Sequence, residues 1–168
     1  IHTHGGLTIL DSFINGIEEN PSVDINNFHF FIDDRIDISK TKRIKNYSIE
    51  LVRANHFNRK KAYKKKINLA TKIVCLANIP PPIKSSKPVY IYFHNLLLLN
   101  NKITYVTPYY FILNKIKLQY IKFFKHKFYK WVVQTSFMKN KLSEILKIDK
   151  KSIKIYPFYS NDDINFKE

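Results

Sequence analysis

Short apolar runs alternate along the chain with stretches whose apolar positions recur every three or four residues. The first pattern marks buried strands and the second amphipathic helices, and together they predict a layered α/β domain. Leu7 to Glu19 reads as a helix, with Leu7, Ile9, Leu10, Phe13, Ile14 and Ile17 on one broad face. Asn20-Pro21 ends it, because the residue before a proline is pushed out of the helical region. Phe28–Ile32 predicts a strand that runs into the acidic turn Asp33-Asp34-Arg35, whereas "RIKNYSIEL" suits either a strand or a helix start. "FNRKKAYKKKINLATK" predicts a helix with one strongly basic side. Lys72–Ala77 and Val89–Phe93 predict strands, joined by "NIPPPIKSSKP", a loop stiffened by its prolines. Tyr109–Phe128 predicts a long helix, its apolar positions (Phe111, Ile112, Ile116, Ile121, Phe124, Phe128) interleaved with lysines. "KWVVQ", "SFMKNKLSEILK" and "IKIYPF" then give strand, helix and strand, with Ser136 as the helix N-cap.

Apolar strands separated by helices predict a Rossmann-like parallel sheet with helices on both faces. Ligands of such sheets sit beyond the carboxyl ends of the strands. That rule selects His4, Gly5 and Gly6, the Asp33-Asp34-Arg35 turn, Asn78, His94 and Asn95, and Gln134, Thr135 and Ser136. Amide and hydroxyl groups dominate the set, which suits a polyhydroxylated ligand better than a Ser-His-Asp relay. Capping of loop backbone is an equal alternative for Asn78 and Asn95, and His56 and His126 read as surface groups.

"IHTHGGLTIL" admits two readings. His2 and His4 form an H-x-H pair that a metal could use with His29, Asp33 and Asp34, but such a site needs three or four converging ligands. His29 falls inside a strand rather than at its end, and no metal is expected. The stronger reading is a tight Gly5-Gly6 turn leading into a helix, where a backbone without side chains meets a phosphate or sugar. The plainer one is a turn with no ligand.

The 168 residues suit one domain, and the lone cysteine, Cys75 in "IVCLA", excludes a disulfide framework and a Cys-based zinc site. Charge changes the picture more. The net charge is +16, and no acidic residue lies between Glu50 and Glu144, a span that holds 19 of the 29 Lys/Arg. This asymmetry predicts an anionic partner, unless it only reflects the Lys-, Asn- and Ile-rich composition of an AT-rich coding sequence. Only four of the basic residues are arginines, the side chain favoured for specific phosphate and base contacts.

"HTHGGLTILDSFI", "CLANIPPP", "VYIYFHNLLLL" and "WVVQTSFMKNKL", in this order and spacing, resemble the N-terminal half of GT-B glycosyltransferases. The likeness is to bacterial family 4-like enzymes of surface polysaccharide and lipopolysaccharide synthesis, and it covers Ile1 to about Tyr159. It implies a Rossmann-like acceptor-side domain over residues 1–159 and the start of a linker at 160–168, leading to a donor-binding domain that the chain lacks. It further implies a retaining transfer from a nucleotide-sugar co-substrate, with no other cofactor, to a glycan or lipid-linked sugar acceptor. Gly5 and Gly6 would then line the cleft between the two domains, and His94 would assist catalysis near the transferred sugar without acting as an indispensable base. His4 stands where these relatives often carry a further glycine. The 168 residues alone should not catalyse transfer.

A lipid-linked acceptor gives the basic helices a use. Lys115, Lys122 and Lys125 would rest on an anionic membrane surface, placing the protein in the cytoplasm on the inner face of the plasma membrane. The rival class is a non-catalytic basic α/β protein that holds nucleic acid, with bases stacked on exposed rings. It ranks second, because attraction to headgroups does not require arginine.

Overall fold

The computed structural model describes residues 4–38, 44, 46–99 and 107–157, and the side chains of its first helix from Thr8 onward. The expected strand end at Ile1, His2 and the linker over 160–168 lie outside these residues. The protein is α/β, with parallel strands and helices in a Rossmann-like arrangement. Two compact units are formed, one by Ile1–Thr71 with Pro81–Ile83 and the other by Lys72–Pro80 with Lys84–Glu168.

The first unit holds α1 (His4–Glu18), β1 (His29–Asp33), β2 (Ser48–Val52) and α2 (His56–Lys66). Ile9, Leu10, Ile14 and Ile17 make the buried face of α1, as their spacing requires. Gly5 and Gly6 belong to the first turn of α1 and not to a turn before it. At a helix start the leading amides have no intrahelical acceptor in any case. Strands β1 and β2 pair in parallel, with Phe31 opposite Glu50, so the ambiguous stretch is a strand. Tyr63 of α2 lies against Phe31 with ring centroids 5.5 Å apart, while most of α2 is basic and only Ala62 is buried. Helix α2 starts at His56 because the Asn55 side chain accepts the Asn58 amide at 2.8 Å.

The second unit is a four-stranded parallel sheet in the order β3-β4-β5-β6 (Ile73–Cys75, Val89–Phe93, Lys130–Val133, Ile153–Ile155). Ile91, Tyr92 and Phe93 are all buried, so both faces of β4 are covered, the state in which a strand reads as a continuous apolar run. Phe93 and Trp131 lie side by side in the core, ring centroids 6.4 Å apart. Between β5 and β6, α4 (Ser136–Leu146) buries Met138, Leu142 and Leu146, a stripe at four-residue spacing.

Between β4 and β5, after a short 3-10 turn at Leu96–Leu99, runs α3 (Pro108–Phe124). It ends four residues earlier than its pattern predicts. Lys125 adopts an extended conformation, and the following turn carries Tyr129 and Trp131 into the core, where both are buried. Burial of those two rings outweighs the few helical residues lost. Only Leu118 and Ile121 of α3 are buried, while Tyr109, Ile112, Ile116 and Phe123 are exposed. Among the described residues no helix is long and apolar enough to cross a membrane.

Candidate functional site

Parallel pairing places the ends of β3, β4 and β5 along one edge of the sheet. Cys75 is opposite Ile91 and Phe93 opposite Val133, so the chain leaves the sheet at Asn78, at His94-Asn95 and at Gln134-Thr135-Ser136 along the same edge. Here the structure brings together Asn78, His94 and Asn95. The Oδ1 of Asn78 accepts the backbone amides of His94 at 2.7 Å and Asn95 at 2.9 Å. The Nδ2 of the same side chain lies 3.2 Å from His94 Nε2. Asn78 is buried and left-handed, with φ of 63°. Asparagine is the residue other than glycine that tolerates this region best, and three bonds to neighbouring groups hold it there.

His94 is partly buried and its ring stacks on that of Tyr92 at 5.8 Å. Burial pushes its pKa down to about 4, so the ring is neutral at neutral pH. Among the described residues its Nδ1 is buried and has no hydrogen-bond partner. Tyr92 is not singled out by the sequence. The available signal is the two-residue period of β4, which puts residues 92 and 94 on one face.

The other strand-end residues divide by task. Asn95 Oδ1 accepts the Leu97 amide at 3.0 Å and so shapes the 3-10 turn after β4. Thr135, not Ser136, is the N-cap of α4. It is extended (φ −137°, ψ 159°) and its hydroxyl accepts the Met138 amide at 3.2 Å, whereas Ser136 is the first helical residue. Gln134, half-buried, stands next to the end of β5. His4, Gly5 and Gly6 belong to the other compact unit, where the backbone of all three is helical.

Two of the residues considered as partners of the histidine pair, His29 and Asp33, are engaged elsewhere. His29 Nδ1 meets Ser48 Oγ at 2.7 Å, and its Nε2 lies 4.0 Å from Glu50. Arg35 grips Asp33 through Nε at 2.8 Å and Nη2 at 2.6 Å. Burial alone would raise the Asp33 pKa, but the Arg35 guanidinium and amide hold it down at about 2.

On α3, Tyr109, Ile112, Ile116 and Phe123 recur at helical spacing along one exposed stripe, Phe123 being 81% exposed. An open concavity of about 600 Å³ lies along it, lined by Ile116, Gln119, Tyr120, Lys122, Phe123 and Phe124. Lys115 lies 5.2 Å from the Phe111 ring centroid. Lys125 differs, because its ammonium donates to the carbonyl oxygen of Leu146 at the end of α4.

Comparison of the chain with family models, curated proteins and solved structures finds no match.

Proposed function

We propose that this chain is the acceptor-side domain of a retaining GT-B glycosyltransferase that builds cell-surface polysaccharide or lipopolysaccharide. The observation that carries the reading is the neutral His94, clamped by Asn78 beyond the carboxyl end of a central parallel strand. This is where open α/β sheets bind their ligands. The residues there, with Asn95 and Gln134, are uncharged hydrogen-bonding groups, matched to sugar hydroxyls. Transfer of this kind relies on positioned hydrogen bonds more than on a protein nucleophile. The nucleotide-sugar donor would be held by a second domain, and this one should bind acceptor by itself.

The stripe on α3 supports a peripheral membrane location on the cytoplasmic face. Exposed aromatic and aliphatic side chains beside Lys115, Lys117 and Lys122 match the boundary between acyl chains and anionic headgroups. A lipid-linked acceptor would then be met at the surface on which it resides.

The test is titration of the isotope-labelled chain with a panel of hexose and N-acetylhexosamine disaccharides. Shifts are expected at His94, Asn95 and Gln134, and His94→Ala, which removes the ring that shapes this strand end, should weaken binding about tenfold. No response to any saccharide, together with salt-sensitive binding of a single-stranded oligonucleotide, would replace this reading with the nucleic-acid one.

A further inference from the structure

We propose that Asn78 is a positioning residue that fixes His94 in the tautomer protonated at Nδ1, with Nε2 already engaged, so that the ring does not serve as a base. This rests on the reading of His94 as a ligand-contacting group. The orientation of the Asn78 carboxamide is settled by its surroundings. The atom that accepts two backbone N–H groups must be the oxygen, since the flipped amide would turn its own N–H groups against them. The atom 3.2 Å from His94 Nε2 is therefore the nitrogen, and it donates. Nε2 must then present its lone pair, which leaves the proton of a neutral imidazole on Nδ1.

Two further features agree. Stacking on Tyr92 and the bond from the His94 amide to the same Asn78 side chain together restrain the ring. Among the described residues Nδ1 is buried without a hydrogen-bond partner, so its proton is fixed by the bond made at Nε2 and not by an acceptor of its own. Nε2, the usual proton-accepting atom, is occupied, so His94 would not take a proton from a ligand bound at this strand end.

The experiment is long-range proton–nitrogen correlation of the histidine rings at neutral pH, in the whole chain and in Asn78→Asp. The wild-type ring should show a protonated Nδ1 and an unprotonated Nε2. In the variant the new side chain would still accept both backbone amides but offers Nε2 a carboxylate. The ring should then carry a proton on Nε2, and its titration should move up by about one pH unit or more. A wild-type ring protonated at Nε2, or exchanging rapidly between tautomers, overturns the proposal. So does an Asn78→Asp ring identical to wild type when the amide spectrum shows the fold intact. Neither readout uses a saccharide. Absence of saccharide binding with the tautomer as stated would count against the proposed function alone.

Discussion

Asn78 holds His94 twice, by the backbone amide at 2.7 Å and by the ring at 3.2 Å, across the gap between two adjacent parallel strands. The left-handed backbone of Asn78 makes its substitutions informative. Alanine removes the bonds and keeps a Cβ at positive φ without the side-chain hydrogen bonding that lets asparagine adopt it, while glycine removes the bonds but relieves the Cβ strain. Asn78→Ala should lower stability by about 2–4 kcal/mol, and Asn78→Gly by about 1 kcal/mol less. Urea unfolding followed by the fluorescence of Trp131, the sole and buried tryptophan, measures both. Alanine better tolerated than glycine would contradict the geometry.

Stability should fall in acid in two stages. The pKa of His94 is about 4 in the fold against an ordinary 6.5, because of burial. Above pH 6.5 both states are neutral and the group contributes nothing. Between 6.5 and 4 the unfolded chain binds a proton that the folded chain refuses, so stability drops by about 1–2 kcal/mol after allowance for partial exposure. His29, lowered by burial and by Lys66, acts in the same direction. The Asp33 carboxylate, held at about 2 by Arg35, gives stability that is present above 3.8 and lost as pH falls through 2. His94→Gln should shrink the upper stage, leaving the part due to His29, and Asp33→Asn should remove the lower. A urea midpoint that stays flat from pH 6.5 to 4 would show that neither histidine is held neutral.

The two neighbouring residues at the start of α4 should behave differently. Thr135→Ala removes the hydroxyl that satisfies the Met138 amide and should destabilise by about 1 kcal/mol. Ser136→Ala, at an exposed first-turn position, should stay within about 0.5 kcal/mol of wild type. Equal losses from the two would move the cap.

Lysines on and beside α3 should separate by task as well. Lys125→Ala removes the ammonium that caps the Leu146 carbonyl and should reduce stability by about 0.5–1 kcal/mol, with little change in vesicle binding. Lys122→Glu and a paired Ile116→Ser, Phe123→Ser variant should leave the fold intact and weaken sedimentation with phosphatidylglycerol vesicles about tenfold. Retention of full binding by the paired variant removes α3 from any membrane contact.

Much of the secondary structure follows from local chemistry. The "VYIYF" strand, the four-residue spacing of Met138, Leu142 and Leu146, and the Asn20-Pro21 stop each depend on neighbours within a turn or two. The rule that ligands gather beyond carboxyl strand ends was enough to mark Asn78, His94 and Asn95 as a group. Local pattern misplaced what depends on competition. Ser136 and Thr135 are both capping residues by type, and only the backbone path out of β5 chooses between them. The end of α3 is set by the burial of Tyr129 and Trp131, rings that lie beyond the helix itself.

By itself the sequence determined an α/β chain, its strongly basic middle, and which polar residues would stand at the ends of β3, β4 and β5. All three follow from composition and short-range periodicity. Only the tertiary structure decided what those residues do to one another. Asn78 and His94 are 16 positions apart, and no local rule fixes which atom of one faces which atom of the other. The register of β3 against β4 does so, and with it the state of the imidazole. Likewise, whether apolar residues on α3 were core or surface could not follow from spacing, because both sides of the helix carry them. The side that found the sheet's core was buried, and Tyr109, Ile112, Ile116 and Phe123 were left facing outward.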